Sequence, residues 1–369
     1  MIQLLFVTRY IPAVPWSSRG SELVTLFTNC AVEASVVFLP LFAQEIGASK
    51  LQVGAIGGAY GIAYFASSWV FGRQSDIRGR VFFIRLGLGL GVVTLAMQTL
   101  AINPLILAFG RALVGFCLGI SAAALMAYNF EAGGGTGRFA SLGALGWLMG
   151  AIIAVFIQNY HSLFLLSSAS CGIAFAVSLS LKEQKDRISL KPVTIRVVWR
   201  NIRVYLPFFL RHLGANMVWV IFPLFVATIG ASKTWIAILD GINTGGQFIT
   251  MMFIERLKES RLFLLGFLFS ALVFLAYAQV TNYLQVIPVQ ALLAVAWSCL
   301  YVGALLLLLK NNEERATSTG ILFSTISISG AAGPFLGGLV AQFWGYQLLM
   351  YLASGLCLVA LGIVTVQSR

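Results

Sequence analysis

Apolar residues in this chain run in blocks of about twenty, and short links between the blocks hold most of the charge. A helix rises 1.5 Å per residue, so a block of roughly twenty crosses the ~30 Å hydrocarbon core of a bilayer. Twelve such blocks stand at roughly 21–43, 51–73, 81–101, 104–129, 139–159, 162–181, 204–228, 234–254, 261–281, 284–309, 317–342 and 346–367. The pattern predicts an all-α membrane protein with twelve transmembrane helices. One link, 182–203, is longer and basic, with Lys182, Lys185, Arg187, Lys191, Arg196, Arg200 and Arg203. It splits the chain into two six-helix bundles, 21–181 and 204–369. Residues 1–20 are too short and too interrupted by Arg9, Pro12 and Pro15 to be a span, and read as an interfacial segment.

Composition agrees with this reading. The chain is 59% hydrophobic and 10% charged, with a mean hydropathy of +0.91. A soluble domain of this size cannot hide so much apolar surface in one core. The net charge of +12 would suggest nucleic acid in a soluble protein, but here the cations alternate by loop. Arg73, Arg78, Arg80, Arg138, the basic link, Arg256, Lys258, Arg261, Lys310 and Arg315 fall on one side, and only Lys50 and Lys233 on the other. The positive-inside rule then places both termini in the cytoplasm of a cell-membrane protein, and no nucleic-acid partner is expected. Cys30, Cys117, Cys171, Cys299 and Cys357 lie inside predicted spans without CxxC spacing, so they read as packing residues. With His161 and His212 as the only histidines, neither a metal site nor a cofactor is expected.

The two halves share a text. "PLFAQEIGASK" at 40–50 and "PLFVATIGASK" at 223–233 agree at eight of eleven positions, at an offset of 183. Six spans separate the copies, an even number, so both run in the same direction. Such parallel repeats place a binding site at the midplane between the halves. Polar side chains within spans are tolerated mainly where they line a cavity. The offset selects candidates: Asn29 and Glu33 on span 1, four apart and on one helix face, align with His212 and Asn216 on span 7. Tyr60 and Tyr64 on span 2 align with Asn243 and Gln247 on span 8.

The stretch "GRQSDIRGR" (72–80) between spans 2 and 3 resembles the loop signature of the major facilitator superfamily, with Gly72, Asp76, Gly79 and Arg80 in place. Ile77 and Val81 stand where basic residues are usual. "RALVGFCLGISAA" (111–123) is similar to that family's arginine motif on span 4, with Arg111, Gly115 and Gly119 matching, and "GAAGPFLGG" (330–338) to its span 11 pattern. The resemblance implies a secondary transporter. It also implies a cytoplasmic gate in which Asp76 faces the start of span 11 and Arg80 pairs with Glu131, as a latch between the bundles. In the second half, "ERLKESR" (255–261) keeps only Glu259 in register with Asp76.

Glu33, Arg111, Arg211 and Asp240 are the ionisable groups well inside spans. A charge near the bilayer centre costs roughly 2.5–3.5 kcal/mol, so each needs a partner, water or a proton. Glu33 falls about 18 Å from the inner end of span 1, and Arg111 about 12 Å inside span 4. A Glu33 that alternates between a protonated and an Arg111-paired state would be a proton-coupling device, with Asp240 a second candidate. Alternatively, Glu33 only bonds Asn29 or another helix. Arg211 reads as a residue that snorkels to the interface.

No GxxxxGK[ST] loop is present, so an ion gradient, most simply protons, is the expected energy source. No HExxH or other catalytic constellation argues for a membrane enzyme. The expected function is alternating-access transport of a small organic solute by a monomer. Proton-driven efflux of lipophilic drugs is the alternative, although span 5 lacks the Gly-Pro of many drug–proton antiporters. A lipid-handling enzyme or sensor on the same fold is the reading from another class.

Overall fold

The computed structural model describes residues 16–134, 136–183, 195–254, 257–312 and 315–366. Its helices realise the twelve spans. Span 1 is Trp16–Val36 continued by Leu39–Glu45, and spans 2 to 6 are Lys50–Arg78, Arg80–Met97, Pro104–Glu131, Thr136–Phe156 and Tyr160–Ser178. A short helix, Ile195–Arg200, precedes the second half. Span 7 is Ile202–Trp219 continued by Phe222–Thr228, and spans 8 to 12 are Lys233–Phe253, Glu259–Tyr277, Val286–Asn311, Arg315–Phe343 and Gly345–Val366.

The repeated eleven residues build the same corner twice. Pro40 and Pro223 each sit in the first turn of a short helix, where a missing N–H costs nothing, and each follows a break in its span. Span 7 bends there by 52°. Gly47 and Gly230 then take φ of 92° and 95°, a region open to glycine without a Cβ clash. Ser49 and Ser232 cap the next helix by accepting from Gln52 N and Trp235 N. Pro, Gly and Ser thus specify break, turn and restart.

Packing follows the same duplication. In the first half the helices contact in the order 5–1–6–3–4–2, and in the second in the order 11–7–12–9–10–8. Adding six to each number of one order gives the other, as a parallel repeat requires. The bundles meet along two seams, span 2 with span 11 and span 5 with span 8, which exchange under the same rule. Among the described residues, ten spans are long and apolar enough to cross a bilayer, counting the bent span 7 as one. The other two are spans 2 and 8, equivalents that each line a seam. Their polar residues meet protein there, where hydrocarbon would penalise them.

Among the described residues, the buried core is shared at one end only. Near the GASK corners, Phe38, Phe42, Ile56 and Phe164 join Val218, Phe225, Ile236 and Phe274 in a single cluster. Toward the basic end each half keeps its own core, around Ile84, Leu88, Leu118 and Tyr128 in one and Phe208, Phe267, Leu300 and Leu308 in the other.

Candidate functional site

Asn29 and Glu33 lie on the face of span 1 that meets span 5. The contact is close because span 5 is glycine-lined there. A Cβ at Gly143 would come within 2.8 Å of Asn29 Nδ2, and one at Gly150 within 2.5 Å of Glu33 Cβ. Span 8 approaches the other side of span 5, with Gly241 against Leu148 and Ala151. The Glu33 residue is buried there, 3% exposed, and the Asp240 carboxyl on span 8 lies near enough to act on it electrostatically. The Tyr277 hydroxyl lies beside Asp240, and both it and Asp240 Oδ2 are buried without a hydrogen-bond partner.

The expected pairing of Glu33 with Arg111 is therefore overturned. Arg111 is buried, but its Nη1 donates to Ser35 Oγ at 3.2 Å and Gln98 Oε1 at 3.3 Å, and its guanidinium lies 4.5 Å from the Tyr60 ring centroid. Two polar oxygens and an aromatic face hold this cation, while its Nε stays buried without a hydrogen-bond partner. Arg211 does not snorkel either. It is 1% exposed, donates from Nε to Ser270 Oγ at 2.9 Å and lies 5.3 Å from the Trp297 ring. Its position on span 7 turns it into the bundle, toward spans 9 and 10.

The remaining candidates form three groups. Tyr60 and Tyr64 stack at 5.8 Å on span 2, against the backbone of span 4, where Gly115 and Gly119 allow close approach. Asn243 accepts from Gln247 Nε2 at 3.0 Å along span 8. Asn216 Nδ2 donates to the His212 backbone carbonyl at 2.9 Å, while the His212 ring stacks on Trp297 at 5.1 Å. Trp297 in turn stacks on Tyr301 at 5.3 Å, and Phe208 lies 5.7 Å from His212. This four-ring ladder escaped the sequence reading. Its signal was present as two aromatic pairs four apart, 208/212 and 297/301, but which helices faced one another was not.

At the basic end, Arg80 and Glu131 pair at 2.8 Å, and Arg80 Nη1 also donates to Ser75 Oγ. The pair is found, but it does not cross between bundles, because span 3 and span 4 belong to the same half. It is an intrabundle clamp. Gly79, at φ 108°, makes the sharp turn between spans 2 and 3, and the backbone N–H groups of Arg80 and Val81 donate to Glu183 after span 6. Gly72 lets span 2 approach Ala123 on span 4. Asp76 lies on the span 2 helix, and its side chain falls outside the described residues. The second half has a matching clamp with its charges reversed, Glu259 at the start of span 9 with Lys310 at the end of span 10, at 2.8 Å.

Contacts that do cross between the halves cluster at the GASK end. Lys233 sits 3.8 Å from the Tyr160 ring and 3.6 Å from Glu45, and Tyr160 donates to Glu45. Gln158 donates to Thr234 at 2.6 Å. Lys50 sits 4.2 Å from the Tyr346 ring, and its N–H donates to Gln342. Each repeat lysine thus lies over a tyrosine that opens span 6 or span 12 of the opposite half. In the sequence both lysines stand only as outward charges.

Two pseudo-symmetric six-helix bundles, clasped at one end and divided at the other with polar and aromatic groups between, define a multi-pass transporter that moves a small solute without ATP. The Major Facilitator Superfamily profile matches residues 23–206 and again 204–367, and the chain belongs to that family. It is 24% identical over 365 residues to the multi-drug resistance efflux pump PmrA of Streptococcus pneumoniae, covering 89% of this chain and 90% of that protein. The nucleoside transporter NupG superposes with a TM-score of 0.77 at 13% identity, over 95% of this chain and 99% of NupG. The human organic anion transporter MFSD10 does so with a TM-score of 0.72 at 16% identity, over 96% and 100% of the two chains.

Proposed function

We propose that this secondary transporter is proton-coupled and carries small organic solutes that present a flat aromatic ring. It moves them by rocking 21–181 against 204–369 about the two seams, with 182–203 as the tether. The observation that carries the reading is the asymmetry of closure: a clasp and a shared core at the GASK end, separate cores at the basic end. The loop cations support an orientation with the GASK end outside and both termini cytoplasmic in the cell membrane. One chain supplies both seams, so a monomer suffices.

The ring preference rests on the Phe208–His212–Trp297–Tyr301 ladder and the Tyr60–Tyr64 stack, which offer aromatic faces in both halves. Stacking on such a face contributes about 0.5–1.5 kcal/mol beyond burial. A nucleoside, as carried by NupG, presents such a ring. The likeness to PmrA favours a second reading, efflux of lipophilic drugs, for which the same rings serve.

Full-length protein in liposomes under an imposed pH gradient tests both, with uridine and ethidium as probes. One probe is expected to accumulate against its gradient, and Trp297→Ala to slow it by about two- to tenfold. Accumulation that ignores the pH gradient would overturn proton coupling. Absence of transport for both probes would overturn the ring preference.

A further inference from the structure

We infer that a cavity beside the Lys233 clasp binds an amphipathic organic ammonium, and that the bound cation holds the GASK end shut. This goes beyond the transported solute and does not rest on proton coupling. The cavity has a volume of about 400 Å³, and both halves wall it. Leu41, Glu45 and Tyr160 of the first half face Ala227, Lys233 and Ile236 of the second. That volume falls within the ~300–1,000 Å³ of small-molecule sites.

The polar side of the cavity suits a cation. Glu45 Oε1 accepts from the Tyr160 hydroxyl and stands 3.6 Å from Lys233 Nζ, while Oε2 has no partner among the described residues. Lys233 is already met twice, by that carboxylate and by the Tyr160 ring at 3.8 Å, which leaves it little pull on an anion. Spans 1 and 7 both end at the rim, and a helix C-terminus carries partial negative charge. Tyr160 is itself fixed: it is 8% exposed, and its ring packs 5.1 Å from that of Phe42. A buried donor therefore orients the carboxylate, whose side chain is 58% exposed and open to a ligand arriving from water.

Next to the carboxylate, Leu41, Ala227 and Ile236 form an apolar wall for the body of the ligand. A cation held by Glu45 with its body on Ala227 and Ile236 touches both halves at once. The two walls face each other only while the halves are together at this end. A ligand that binds one state alone shifts the population toward that state. Register adds a second argument. At the Lys50 corner, the residue equivalent to Glu45 at offset 183 is Thr228, and Lys50 lies over Tyr346 instead. The duplication therefore supplies two lysine clasps but places the acid at one of them.

Cyclohexylammonium, cyclohexanol and cyclohexanecarboxylate present one body with three charges, and serve as probes. Spin labels on Ile102→Cys and Thr281→Cys, exposed at the GASK end of opposite halves, report the closed-to-open ratio in the full-length, lipid-embedded protein. The native cysteines are buried. Lys50→Met loosens the other corner and supplies an open population on which a ligand can act. In that background the ammonium should raise the ratio as 1 + [L]/Kd, about elevenfold at roughly ten times Kd. Glu45→Gln should weaken its binding about two- to fivefold, as expected for an exposed ion pair. A larger response to the carboxylate would make this an anion site of Lys233 and overturn the inference. An equal response to cyclohexanol would overturn the part played by charge. An ammonium response undiminished in Glu45→Gln would place the cation elsewhere, and a shift toward open would overturn the hold on the clasp. No shift with any probe would overturn the site itself. The readout uses no transport, so failure of pH-driven uptake would leave this result standing, and the reverse.

Discussion

The two seams between the halves are built from equivalent positions yet differ in chemistry. Where spans 2 and 11 meet, backbones touch: a Cβ at Gly54 would stand 2.5 Å from the Pro334 carbonyl oxygen and 2.7 Å from Gly338 Cα. Where spans 5 and 8 meet, Gly241 and Gly245 face side-chain atoms at 3.5–4.0 Å, an ordinary contact. The midplane repeats the contrast. Glu33 rests on Gly150 and Asn216 rests on Gly333, the same contact at offset 183, with a Cβ-to-Cβ approach of 2.5 Å in both. Behind Glu33 stands Asp240; behind Asn216, the equivalent position is Gly57, pressed against Val220 and Pro334. The two halves share this geometry, but one seam holds two neighbouring acids and the other a close fit of backbones.

Asn216→Glu attacks the contrast most directly. It places an acid in the glycine seam with no room for a partner at residue 57, at a cost of roughly 2.5–3.5 kcal/mol when ionised. The protonated form avoids that cost, so thermal stability in detergent should fall as pH rises from 5 to 8 and recover on acidification. Stability equal to wild type at pH 8 would mean that the two seams tolerate charge alike.

Gly54→Val should cost about 1–3 kcal/mol, because the added atoms meet backbone that cannot rotate away. Gly245→Ala, facing only Leu148 methyls, should be close to neutral. Similar losses in the thermal unfolding of the two variants would erase the distinction between a tight seam and a loose one. The smallest effect concerns the clasp. Lys233→Met removes a cation–π contact of about 0.5–1 kcal/mol and should raise the open fraction at the GASK end about two- to fivefold by spin-label distances. Lys50→Met should do less, since Glu45 adds to the hold on Lys233 alone. An equal or larger effect of Lys50→Met would shift the clasp's centre to the glycine seam.

Much of this was legible in the chain. Blocks of apolar residues predict the spans because only helices satisfy their own backbone in a bilayer. The repeat predicts equivalent neighbours because like sequences fold alike, and Glu33 and Asn216 do rest on equivalent glycines, Gly150 and Gly333. Partner choice was not legible. Charge alone matches Glu33 with Arg111, and the family resemblance implies that Arg80 and Glu131 latch the two halves. The first fails because Arg111 is directed at Ser35, Gln98 and the Tyr60 ring. The second pair forms, but spans 3 and 4 belong to one bundle. The aromatic ladder was hidden for a similar reason: spacing shows that 208/212 and 297/301 each share a face, not that the faces meet.

By itself, the sequence determined twelve crossings, a parallel duplication, the corner written in Pro, Gly and Ser, and the family. These depend on local periodicity, backbone permissiveness and transfer of side chains from water to lipid, which each segment expresses alone. Only the tertiary structure decided which buried charges meet. Glu33 on span 1 and Asp240 on span 8 come near one another because both helices pack on span 5, a condition that involves three helices and is written in none of them.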